Sequence, residues 1–321
     1  MEIFQILCND ILPLLFFIGA GYWLDGSFKL DLNTYNKLVI WVVLPCFMFY
    51  SMAQYEPDAD TLFIIPAEIL LLVMMACLSR VTSRFFHLEN RQRAVFQAAS
   101  TYSNAGNIGI ALILFIYSHA PYADGGNAPF LPEARGTVVL LMILMNIAVN
   151  LFGACQIGAH AVSPMSVLRF LVKMPALYAV IAGLLVQYFS ISLTHTFLWP
   201  VLHHFSGAFI VLVTMIVGAH LHRARMRRPT PAVLFTSFQK LIISPLLAWA
   251  IITLFGGFTA TEAQVFLIAS AIPPSFTIVM YAAEYKNNSD LAAQSVLVST
   301  FLGIITMTAV IYLARILYPV V

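Results

Sequence analysis

The chain has 321 residues, 61% of them hydrophobic and only 9% charged, with a net charge of +2. Soluble domains carry about 25% charged residues, so a water-soluble globule is excluded and the chain reads as an all-α polytopic membrane protein. So small a positive excess gives no sign of a nucleic-acid partner.

A bilayer core needs about 20 apolar residues per helix. Windows of that kind fall near 3–23, 35–54, 61–83, 94–118, 135–160, 167–190, 197–220, 234–255, 264–285 and 291–317. They predict ten transmembrane helices, with the lipid bilayer as solvent and no soluble domain between them. Phe4–Trp23 is expected to be a retained helix rather than a cleavable signal, because no Lys or Arg precedes Lys29. Cys8, Cys46, Cys77 and Cys155 lie in apolar segments without paired spacing, the pattern of packing thiols.

Basic residues orient the chain. With the N-terminus outside, 13 of the 16 Lys and Arg fall in inward connections, among them Arg80, Arg84, Arg91, Arg93 and Arg223–Arg228. The outer side receives only Arg135 and Arg315, and Lys240 lies inside a span. The expected placement is the cytoplasmic membrane, multi-pass, with both termini outside. The triplet Asn287-Asn-Ser289 then faces the cytoplasm and stays unglycosylated.

Two expected spans, the fourth and the ninth, are interrupted at mid-length. The first break is Ala99-Ser-Thr-Tyr-Ser-Asn-Ala-Gly-Asn-Ile-Gly-Ile-Ala111, and the second is Ala269-Ser-Ala-Ile-Pro-Pro-Ser-Phe-Thr-Ile278. Backbone groups freed at membrane depth must face protein or a water-filled cavity. Paired breaks at matching points of two halves mark a secondary transporter's binding site. Ser103, Asn104, Gly106 and Asn107 offer hydroxyl and amide groups without a full charge, and the glycines let a ligand approach the backbone. Pro273 and Pro274 remove two donors, with Ser275 beside them. Half-helix N-termini near the midplane attract anions, so a carboxylate is the expected guest.

The halves match elsewhere. Pro13 precedes Gly21 by eight residues, as Pro175 precedes Gly183, and Phe96–Ser100 aligns with Phe266–Ser270. Residues 1–160 and 161–321 are therefore expected to be two five-helix repeats, the second inverted.

Ionisable groups inside spans are costly and invite a functional reading. Glu68 and Lys240 are candidates for proton or charge coupling, although Lys240 can snorkel to the inner interface. Asp10 lies near the outer end of its helix. His220-x-His222 suits interfacial anchoring better than zinc, and no metal-ligand spacing or cofactor motif is present. Nor is there a Gly-x-Ser-x-Gly elbow, so the chain reads as no enzyme and no cofactor is expected.

Ser103-Asn-Ala-Gly-Asn-Ile-Gly109, Ala271-Ile-Pro-Pro-Ser275 and Tyr281-Ala-Ala-Glu-Tyr285 resemble motifs of the auxin efflux carrier family, PIN-like transporters and bacterial malonate- or malate-type permeases. Leu44-Pro45, Gly218-Ala-x-Leu221, and Lys240 with Pro245 are further echoes, so the resemblance spans the chain. It implies a scaffold of spans 1, 2, 6 and 7, and a transport domain of spans 3–5 and 8–10 with crossing broken helices 4 and 9. It also implies elevator-type transport of a small organic acid, commonly in a homodimer. One departure is Ile110-Ala111, where the family often has a proline, so the first break rests on its glycines and asparagines. The alternatives are a sodium-coupled symporter of a larger amphipathic acid, and a membrane-embedded receptor or enzyme.

Overall fold

The computed structural model describes residues 2–56, 63–124, 127–158, 165, 169, 171–224 and 228–320. In chain order the helices are α1 Ile3–Phe28, α2 Leu32–Met52 and α3 Ile64–Thr82, then α4 Asn90–Thr101, α5 Ala105–Tyr117, α6 Leu131–Gly158, α7 Pro175–Tyr188, α8 Leu198–Arg223 and α9 Pro231–Phe255. They end with α10 Ala260–Ser270, α11 Thr277–Glu284 and α12 Ser289–Leu317. The described residues hold no strand, only isolated bridges. Of these helices, α1, α2, α3, α6, α8, α9 and α12 are each long and apolar enough to cross a bilayer. The expected fourth span is the pair α4 and α5, and the expected ninth is α10 and α11. The boundary expected at 160/161 lies outside the described residues.

Several helices widen into a π-helical turn: α1 at Leu7–Ile11, α2 at Val39–Val43 and α9 at Gln239–Ile243. Each of these turns stands just before a proline, Pro13, Pro45 or Pro245. A proline lacks the N–H for the preceding turn, and its ring crowds the carbonyl four residues back. A locally wider turn relieves that crowding. The sequence thus sets Asp10 and Lys240 on widened turns rather than on regular helix.

Packing divides the helices into two groups. In the first, α8 lies along α1 and α2, and α7 lies against α2. In the second, α3 packs on α4, α6 and α9, while α10 packs on α6, α9 and α12. Glycines set the closest approaches of the first group. A Cβ at Gly21 would overlap the Met215 carbonyl of α8, and one at Gly183 of α7 would stand 2.7 Å from Met52 Cβ of α2. These are the two glycines that follow Pro13 and Pro175 at equal spacing.

Polar ties finish the first group. Asp31 caps α2, accepting from the Asn33 N–H at 3.1 Å and the Thr34 hydroxyl at 2.6 Å. The Thr34 hydrogen bond holds its carboxyl below the usual carboxylate range. Buried Asp25 joins α1 to the end of α8: Arg223 donates to it at 2.7 Å, and His222 Nδ1 lies 2.8 Å from it. His222, in the last turn of α8, thus ties that helix to α1.

Candidate functional site

The two broken segments begin alike. Glu89 and Gln92 form a capping box at the start of α4, as Thr259 and Glu262 do at the start of α10. Residues 89 and 259 are equivalent under the alignment that superposes Phe96 on Phe266. Such boxes satisfy N-terminal donors that have no helical partner. Both half-helices then run inward and stop, α4 at Thr101 and α10 at Ser270.

Where they stop, the chains meet. Ser103 and Pro274 pair as an antiparallel bridge. The Asn104 N–H donates to the Pro273 carbonyl at 2.9 Å, and the Ser275 N–H donates to the Tyr102 carbonyl at 2.9 Å. Each break thereby supplies hydrogen bonds that the other lost by leaving helical geometry. Pro274 has no N–H to give the Ser270 carbonyl, and the Ser244 hydroxyl of α9 donates to it instead, at 2.9 Å. Gly109 permits the close crossing, since a Cβ there would stand 2.6 Å from Ile272 Cδ1.

The expected site residues are brought together at this crossing. Ser103, Asn104, Pro273, Pro274 and Ser275 are buried, while Gly106 and Asn107 are half-buried. The Asn104 carbonyl accepts from Ile108 and Gly109 in the widened turn Ala105–Gly109. Neither the Asn104 nor the Asn107 side-chain amide has a hydrogen-bond partner among the described residues. The Ser103 N–H donates only to the Met145 sulfur, at 3.3 Å, a weak acceptor.

Beside the crossing lies a cavity with water-accessible space of about 10 Å³, room for about one water molecule. Glu68, Thr101, Ser103, Met145, Lys240 and Ser270 line it. Glu68 is 5% exposed and Lys240 2%, so Lys240 does not snorkel to the interface as its sequence position allowed. It stands on the widened turn before Pro245 and points into the protein instead. Among the described residues neither group makes a hydrogen bond or a direct ion pair. Both candidates for coupling thus border the same space as Ser103.

Sequence reasoning missed several neighbours. Gln239, next to Lys240, accepts from Thr82 and Ser100 and so ties α9 to α3 and α4. Asn146 of α6 approaches Gly106, and Asn150, one turn on, accepts from the Tyr281 hydroxyl at 2.5 Å. Two asparagines four residues apart in an apolar span share one helix face, a signal that was available. His220 stacks on Phe276 of the second break, with ring centroids 3.8 Å apart. It belongs to the crossing's wall rather than to an interfacial anchor. Asn287 of the glycosylation triplet is buried and donates to the Ile157 carbonyl.

Comparison with known proteins adds to this geometry. A family model described as Membrane transport protein matches residues 6–154 and 159–311. The chain belongs to that family, the auxin efflux carriers and PIN-like proteins. It is a membrane transporter of a transporter family, not of an enzyme family. No curated protein matches the chain in a sequence comparison.

Proposed function

We propose that this transporter carries a small organic anion, a dicarboxylate or auxin-like acid, across the cytoplasmic membrane by an elevator-type alternating-access mechanism. The observation that carries the reading is the backbone-paired crossing of two broken helices, where the Asn104 and Asn107 amides have no partner among the described residues. An amide pair, the weakly bonded Ser103 N–H and the Ser275 hydroxyl make a neutral donor set suited to a carboxylate. Gly106, Pro273 and Pro274 give that set its shape. Lys240 offsets the negative charge of the guest, and Glu68 serves charge or proton coupling across the same cavity.

On this reading α1, α2, α7 and α8 are the scaffold, and the second group carries the crossing past it. The chain forms a homodimer through the scaffold, with both termini outside. The packing of the two helix groups supports the division, and the positive-inside rule supports the orientation.

Uptake of labelled malonate, malate and indole acetic acid into proteoliposomes tests the reading. We expect accumulation of at least one acid inside the vesicles, retained when sodium is replaced by choline at fixed pH. Binding without accumulation would mark a receptor, and loss of uptake without sodium would mark a sodium-coupled symporter.

A further inference from the structure

We propose that the Asp10–Arg315 ion pair is a latch that joins the two helix groups at one end of the bundle and shuts the crossing off from that side. The proposal rests on the reading above, in which the groups move past one another. Asp10 belongs to α1 of the first group and is 1% exposed; Arg315 belongs to α12 of the second. Arg315 donates to Asp10 Oδ2 at 2.9 Å.

Arg315 is fixed within its own group, and Asp10 is placed by the backbone of α1. The Arg315 guanidinium lies over the Tyr122 ring, 5.3 Å from its centroid. The Tyr122 and Tyr117 hydroxyls both donate to Gln264 Oε1, at 2.7 and 2.9 Å, and Gln264 donates to the Tyr318 carbonyl. Arg315 is therefore held to α5, α10 and its own helix end. Asp10 sits on the widened turn before Pro13, where α1 carries it. Relative motion of the groups must part the two charges or strip one of them from its supports.

Two further observations point the same way. Asp10 Oδ1 and Arg315 Nε are buried without a hydrogen-bond partner, so water entering on separation would gain bonds that the closed form lacks. This is what a two-state contact requires: one well-made bond in the closed form and hydration in the open one. Second, Arg135 of α6 lies over the Tyr50 ring of α2, 5.5 Å from its centroid, again joining the two groups. Arg135 and Arg315 are the two arginines that the count of loop charges left on the outer side, and both span the group boundary. At the opposite end, the pairs of Asp25 with His222 and Arg223 lie wholly within the first group. The Asp25 pairs thus tie α1 to α8 inside one group, whereas the Asp10–Arg315 pair crosses from one group to the other.

The test uses the full chain with its four native cysteines replaced by alanine and Asn107→Cys as reporter, reconstituted in vesicles. A membrane-impermeant maleimide is applied from the side bearing Asp10. Asp10→Asn and Arg315→Gln should each raise the labelling rate about fivefold or more, whereas Arg315→Lys, which keeps the charge, should label near the parent rate. Should Asp10→Asn fail to fold, the two Arg315 variants carry the comparison. A second arm uses the cysteine-free chain with Asn107 intact, joins Asp10→Cys to Arg315→Cys with a short, reducible thiol cross-linker, and follows uptake of whichever of malonate, malate and indole acetic acid the unlinked protein accumulates. Block by the linker with recovery on reduction supports motion at this boundary. If the linker blocks uptake but no single variant changes labelling, the latch fails and the elevator reading stands. Full uptake with the linker in place overturns both.

Discussion

The two breaks end a helix at the same depth by opposite chemistry. The first keeps every backbone N–H and relies on Gly106, Gly109 and two asparagines; the second deletes two N–H groups with Pro273 and Pro274. In the first, donors remain in surplus: among the described residues the Ser103 N–H has only a thioether and neither Asn amide has a partner. In the second, an acceptor remains in surplus, and the protein satisfies it with the Ser244 hydroxyl. The proline side is therefore a fixed frame, and the asparagine side is the face with hydrogen bonds to spare for a guest. A family member without a proline after its first break can still cross its helices, because the missing rigidity is supplied from across the bridge.

That asymmetry predicts how the halves respond to change. The largest effect is expected from Pro273→Ala with Pro274→Ala together. Alanine favours helix over proline by about 3 kcal/mol per residue, enough for α10 to advance and pull the bridge with Ser103 apart. Uptake should fall about tenfold or more while the protein remains monodisperse, and uptake near wild type would show that the second break is no frame. Ser244→Ala should act next, leaving the Ser270 carbonyl without a donor at a cost of about 1–3 kcal/mol. Thermal unfolding reads this. In a Pro274→Ala background the same change should cost clearly less, because the restored N–H can reach Ser270; equal losses in both backgrounds would refute the substitution of one donor for the other. The smallest effect is at the caps. Thr259→Ala should cost about 1 kcal/mol, and Glu89→Ala less, since glutamate is not among the preferred N-cap residues. The reverse order would mean that the two half-helices are not held in equivalent ways.

Much of this was legible in the sequence because it violates an apolar background. Two prolines side by side and asparagines among glycines have no place in a continuous span, so the breaks announce themselves. The helix starts were less clear. The stretch Asn90–Arg93 reads as a charged connection, yet it is the first turn of α4 behind its capping box. Lys240 looked free to snorkel because the residues that enclose it, Glu68 and Thr101 among them, come from other helices. His220 looked like an anchor because stacking on Phe276 joins residues far apart in the chain. Asn146 and Asn150 did leave a mark, two amides on one face of an apolar span, but Gln239 beside Lys240 did not stand out. What they meet on other helices, Thr82 and Ser100 for Gln239 and Tyr281 for Asn150, is not encoded in any local pattern.

The central claim is that the Asn104 amide at the crossing holds an anionic guest. The most direct measurement is the thermal stability of purified wild type and Asn104→Ala across increasing malonate, malate and indole acetic acid, since a ligand of the native state raises apparent stability. The account predicts that wild type is stabilised by at least one acid. It predicts that Asn104→Ala, purified at normal yield with near-normal stability alone, needs about tenfold more of that acid for the same shift. That corresponds to the loss of about 1.5 kcal/mol, the low end for a hydrogen bond to a charged group. Equal shifts in both proteins at every concentration would place the guest elsewhere and contradict the account.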